Sequence, residues 1–190
     1  MRSISAPKLL KIVSIFCWHL SSPLQADLQP EHIHNAKNQK NQLYFNDALF
    51  VGGDGNLRGI LVRSITCAPQ EDHERIAILV ELNRNGEPTS ISRPPYYQVS
   101  IETKSSPVLT ISIWGNPQLN FDAKKVQASF QTIRSVQKLY LLPKLEEDNW
   151  TFSMTLSKKS ALEVYELSNP ARIVLDIRND ELSAEKKTNT

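Results

Sequence analysis

A nucleophilic hydrolase needs a serine or cysteine beside a histidine that an acid orients. No Gly-x-Ser-x-Gly elbow occurs in the 190 residues, and Asp72–His73–Glu74 lies between Pro69 and a strand-like run from Arg75, so it reads as a loop. Two facing carboxylates would make a glycosidase. Glu81, Glu102, Asp122, Asp148, Glu163 and Asp176 are nominal candidates, but their spacing singles out no pair, and Glu146–Glu147–Asp148 reads as a charged hairpin tip ahead of Trp150. Gly52–Gly53–Asp54–Gly55 has the composition of a phosphate loop without the helix pattern or lysine that must follow one. His32 and His34 fall on one side of an extended chain, as a metal pair would, yet no third ligand accompanies them and solvated histidines are the plainer reading. Cys67, after the apolar stretch Ile60 to Thr66, reads as a small packed hydrophobe. The expectation is a non-enzyme with no catalytic residue, metal or cofactor.

Binding asks for less. A sugar ring stacks its apolar face on an exposed aromatic while nearby polar side chains pair its hydroxyls. Tyr96, Trp114 and Tyr165 are placed for this by phase: Tyr96 is opposite to Tyr97, Val99 and Ile101, Trp114 to Leu109, Ile111 and Ile113, and Tyr165 to Leu162 and Val164. Their other reading is as core of a second buried face. Arg172 and Asp176 share the strand side opposite Ile173, Leu175 and Ile177. An aspartate in such a run lowers strand propensity, an effect offset if its carboxylate accepts hydrogen bonds from an arginine or the backbone. These five are the candidate ligand-binding residues, with a fixed polar pair on a solvated sheet face as the alternative for Arg172 and Asp176.

The elements that position them follow from period-2 alternation. Gly52–Gly53–Asp54–Gly55–Asn56 separates Ala48–Val51 from Gly59–Cys67 and predicts a first hairpin. Further strands are expected over 75–82, 96–102, 109–113 and 135–142. Phe121 to Ile133 is a short helix or an extended crossing, since Val126, Phe130 and Ile133 are spaced by four and three. Trp150 to Ser157 alternates large apolar groups with hydroxyls, so Trp150 and Phe152 are core and the other side is wet. Leu162–Leu167 and Arg172–Ile177 close the chain as a pair around Ser168–Asn169–Pro170. The expected class is all-β: one antiparallel two-sheet, sandwich-like domain of roughly eight to ten strands with little helix.

Arg2, Lys8 and Lys11 lead into the apolar run Leu9–Leu20, and Ser21 to Ala26 supplies a small-residue exit, the pattern of a secretory signal cleaved after Ala26. The run is too short for a permanent membrane span. Cys17 follows Ile15 and Phe16, large side chains unlike those before a lipidated cysteine. Removing residues 1–26 takes 22 basic residues to 19 against 20 acidic, so the mature chain is near neutral and a nucleic-acid partner loses its electrostatic basis. Only Cys67 then remains of two cysteines, which excludes an intramolecular disulfide. The expected organisation is a signal at 1–26, a polar linker at 27–46, a β-domain at 47–178 and a polar tail at 179–190, in a protein exported to the periplasm or cell envelope.

The closing strand resembles the end of AMIN domains, the amino-terminal modules of cell-wall amidases also found in pilus secretins. Leu167, Pro170, Arg172, Ile173, Val174, Asp176 and Ile177 carry the match, and Glu74–Arg75–Ile76–Ala77–Ile78 occupies the place of the family's early strand. Pro95–Val99 and Trp150–Leu156 look more like the AMIN-like variant, and the resemblance spans about residues 57–178. It implies a non-catalytic domain of two packed β-sheets that binds peptidoglycan or another envelope component. No amidase or secretin domain accompanies it in these residues, so a binder acting alone or recruiting a separate envelope partner is expected. A protein–protein adaptor of a secretion or pilus system, working through an exposed sheet edge, is the alternative.

Overall fold

Alternation in the sequence becomes two sheets packed face to face. The structure, a computed structural model, describes residues 32–103, 106–141 and 148–179. The first sheet has six strands in the order β1 (Ile33–Asn35), β2 (Ala48–Gly52), β6 (Tyr97–Glu102), β7 (Val108–Trp114), β10 (Asn149–Leu156) and β9 (Val136–Tyr140). The second is β11 (Ser160–Leu167), β12 (Arg172–Asn179), β4 (Glu74–Arg84), β3 (Ile60–Pro69) and β8 (Gln118–Leu119), with β5 (Glu87–Thr89) paired to the end of β4. Most pairs are antiparallel, but β1 with β2 and β3 with β8 run parallel, so both sheets are mixed. The fold is all-β and sandwich-like, and its additional strands are the short ones, β1, β5 and β8.

The core lies between the sheets. Tyr97, Val99 and Ile101 of β6, Leu109, Ile111 and Ile113 of β7, and Trp150, Phe152 and Met154 of β10 face inward. Ile76, Ile78 and Val80 of β4 and Ile173, Leu175 and Ile177 of β12 meet them from the other sheet. Trp150 stacks on Phe152 with centroids 4.7 Å apart. Helix α1 (Ala123–Phe130) resolves the helix-or-crossing ambiguity in favour of helix. Asp122 caps it by accepting from the amides of Lys124 (2.9 Å) and Lys125 (3.3 Å), and the spacing of Val126, Phe130 and Ile133 turns all three into the core.

The expected first hairpin is not formed. The glycine-rich turn reverses the chain, with Gly53 at φ +85°, but β2 stays in the first sheet and β3 enters the second. The Asp54 amide donates to the Pro94 carbonyl (2.9 Å) and its carbonyl accepts from the Tyr96 amide (3.0 Å), which ties the turn to the start of β6. Turn chemistry specifies a reversal, not which sheet the next strand joins.

The described part of the expected linker packs against both sheets. After β1, residues 36–46 cross the open side between β2 and β11 as a strap. The Glu166 amide donates to the Lys37 carbonyl (2.6 Å), the Asn41 amide to Glu163 Oε1 (2.6 Å), and Phe45 and Leu162 exchange two backbone bonds of 2.9 Å. Such a strap is held by backbone bonds and scattered rings, which leave no periodic trace. The expected signal peptide and most of the expected tail lie outside the described residues, as do Glu146 and Glu147.

Candidate functional site

The sequence-selected residues fall on two opposite outer faces. On the second sheet, β12 directs Asp176 outward beneath the strap, where its side chain is 0% exposed. Arg75, opposite it on β4, donates from Nε to Oδ1 (2.7 Å) and from Nη2 to Oδ2 (2.9 Å), a bidentate pair. Lys40 of the strap reaches Oδ2 at 2.8 Å and His73 Nε2 lies 3.2 Å from it. His73 Nδ1 in turn meets Asp72 Oδ1 at 2.6 Å, and Asp72 Oδ2 accepts from Arg178 at 2.7 Å. The Arg178 guanidinium lies 3.9 Å over the Tyr44 ring, so both ends of the network grip the strap.

Burial alone would raise the Asp176 carboxyl; the hydrogen bonds from Arg75 and Lys40 overcome it and hold the group below the usual carboxylate range. Asp72 is held low first by its bond to His73 and then by Arg178. Burial, with the charge of Asp176, pushes the Tyr165 hydroxyl up to about 12. Asp176 therefore has its arginine partner, as its place in the strand requires, but the partner is Arg75 and not Arg172. Arg172 Nε is buried without a hydrogen-bond partner among the described residues. Tyr165 is 3% exposed, with Arg75 5.8 Å above its ring, so it and Asp176 are closed to ligands. The signal that could have found Arg75 is its position: it immediately precedes Ile76 and shares the outward phase with its cross-strand neighbour.

The first sheet's outer face is different. Tyr96 and Trp114 come together there, centroids 5.1 Å apart and planes at 52°, both partly exposed. Gln98 Nε2 donates to Tyr96 Oη at 2.6 Å and fixes that ring. Beside them Ser112 and Thr151 share a hydroxyl contact of 2.8 Å. The hydroxyl side of β10 was legible in the sequence; its continuation through Ser100, Thr110 and Ser112 appears only once β6, β7 and β10 are adjacent.

The remaining candidates have structural surroundings. His34 stacks on Phe45 at 3.8 Å. Burial pushes the Cys67 thiol up, and its Sγ lies 3.4 Å from Ser129 Oγ beside an open groove of about 450 Å³ between β3 and α1. Two buried glutamates missed in the sequence act as clamps. Glu74 accepts from the amides of Arg134 (2.6 Å) and Ser135 (2.7 Å), and Glu166 from the Gly53 amide (2.7 Å) and Arg93 Nε (3.2 Å). Among the described residues no helix is long and apolar enough to cross a membrane. Compared with known proteins, the chain matches no protein-family model and no curated protein.

Proposed function

We infer that this is an exported, non-catalytic cell-envelope protein whose AMIN-like β-domain binds peptidoglycan or another envelope component. The observation that carries the reading is the Tyr96–Trp114 pair, partly exposed on a sheet face lined with hydroxyls, with Tyr96 held by Gln98. An aromatic pair presents a flat apolar surface to the C–H face of a sugar, while serine and threonine hydroxyls both donate to and accept from sugar hydroxyls. The basic, apolar, small-residue order of residues 1–26 supports export independently. The pairing of Asp176 on the closing strand with Arg75 on β4, in this reading, fastens the strap and keeps the sandwich rigid behind the binding face.

The test is co-sedimentation of the purified chain with peptidoglycan sacculi. Wild type should pellet at moderate salt, and Trp114→Ala should weaken pelleting by about tenfold while leaving the melting temperature within a few degrees. Folded wild-type protein that stays in the supernatant would end the wall-binding reading. A second reading, an assembly adaptor, is favoured by β9, an edge strand of the first sheet with Gln137 and Lys138 exposed. Cross-linking at Gln137 to an envelope protein, with no pelleting, is the outcome that would select it.

A further inference from the structure

The outward positions of the first sheet form a grid. Gln98, Ser112 and Thr151 lie opposite one another in one row across β6, β7 and β10. Ser100, Thr110 and Ser153 make the next row. Trp114, whose amide donates to the Tyr96 carbonyl at 2.9 Å, ends the grid with its aromatic pair. Rows lie about 6.6 Å apart along the strands and about 4.8 Å apart across them, so the grid covers several sugar or peptide units.

Its charge separates those two ligands. Among the described residues, the two rows Gln98–Ser112–Thr151 and Ser100–Thr110–Ser153 carry no ionisable acid or base, and the aromatic pair adds only the Tyr96 hydroxyl. Charge begins in the next row, where the outward Glu102 of β6 stands at one end and Lys138 of β9, 4.6 Å over the Tyr140 ring, at the other. The opposite face of the molecule is the reverse, with Asp72, Arg75, Asp176 and Arg178 paired there, Asp176 buried beneath the strap and the other three partly exposed. A peptide stem presents carboxylates and ammonium groups, whose desolvation on a neutral face would go uncompensated. A polysaccharide presents hydroxyls, acetamides and C–H faces, each of which finds its complement here: the aromatic pair for C–H faces, hydroxyl rows for hydroxyls, and the Gln98 amide oxygen, left over once Nε2 is bonded to Tyr96, for an acetamide N–H.

We propose that the outer face of the first sheet binds the uncharged glycan chain of peptidoglycan, a β-linked N-acetylhexosamine polymer, and not its peptide stems. This rests on the wall-binding reading and narrows it. Recognition without ion pairs is insensitive to screening, so affinity changes less than about twofold between about 50 and 200 mM salt.

The experiment compares the full chain with three probes: intact sacculi, glycan strands stripped of peptide with each freed lactyl carboxyl capped as an amide so that they stay uncharged, and free stem peptide. Tryptophan fluorescence with soluble N-acetylglucosamine oligomers serves as a fourth, solution readout. The expected result is binding to stripped strands within about threefold of intact sacculi, no binding to stem peptide, and about a tenfold loss for Trp114→Ala on both glycan probes. Ser112→Lys, which places a charge on the grid without removing an aromatic, should weaken glycan binding in a fold that melts like wild type. Binding to intact sacculi but not to stripped strands overturns this inference and leaves wall binding standing. Binding to neither removes both.

Discussion

Asp176→Asn removes one charge from a side chain with no solvent exposure and almost conserves its volume. The native carboxylate takes bonds of 2.7 and 2.9 Å from Arg75 and pairs with Lys40 at 2.8 Å. The amide keeps one acceptor oxygen and turns two N–H donors toward groups that are themselves donors. Breaking a buried pair by removing one partner costs about 3–5 kcal/mol. The lower end applies, because the Arg75 and Lys40 side chains remain 34% and 27% exposed and recover hydration that Asp176 never had. A loss of about 3 kcal/mol corresponds to a fall of roughly 6–12 °C in melting temperature for a chain of this size. Urea unfolding at neutral pH measures it directly, with a lower midpoint at an unchanged slope. Arg172→Ala, run in parallel, should stay within about 1 kcal/mol of wild type, since the ion pairs of Asp176 go elsewhere. A loss below about 1 kcal/mol for Asp176→Asn, or an equal loss for Arg172→Ala, would refute the network as the strap's anchor.

The same network sets an acid limit. Asp176 and Asp72 both have folded-state values below the ordinary one, so their contribution is complete above about pH 5 and is lost as pH falls through the unfolded value near 3.9 toward the depressed folded ones. Melting temperature followed from pH 6 to pH 3 should therefore drop more steeply for wild type than for Asp176→Asn, and parallel curves would contradict this. Gly53→Ala should cost at least about 2 kcal/mol, because φ is +85° and a Cβ would come 1.9 Å from the Pro95 carbonyl oxygen, whereas Gly55→Ala meets nothing within 4 Å and should be neutral in the same thermal melt. Trp150→Ala should lose about 3–5 kcal/mol from a ring 1% exposed, while Trp114→Ala should lose less than about 1; similar losses by chemical denaturation would place both rings in the core.

The strands with strict alternation were legible because burial on one side imposes a period of two on the sequence. Trp150 to Leu156, Ile76 to Leu82 and Leu109 to Ile113 carry that imprint, and the inward face of each is the one expected. The partnership of Arg75 and Asp176 was not legible, because 101 residues separate them and only the pairing of β12 with β4 makes them neighbours. The same limit hid the crossing from β2 to β3, where a strong turn signal says nothing about the destination. Tyr96 and Trp114 were picked out one at a time by phase; their contact depends on strand order. Tyr165 shared their phase logic but lies under the strap, whose polar sequence hides its packing role.

The strap also constrains the order in which the molecule can be made. Its Asn41 amide bonds to Glu163, 122 residues onward, and Lys40 pairs with Asp176 still later in the chain. The second sheet shares this dependence: β12 sits between β11 and β4, so the sheet lacks an inner strand until the last part of the domain is present. A chain emerging from its amino terminus thus holds its early residues without their partners until nearly all of the domain has appeared. Contacts this distant make folding slow, because loop closure precedes the gain from pairing. A polypeptide that stays open until its closing hairpin arrives is also one that can be threaded through a narrow channel before it folds.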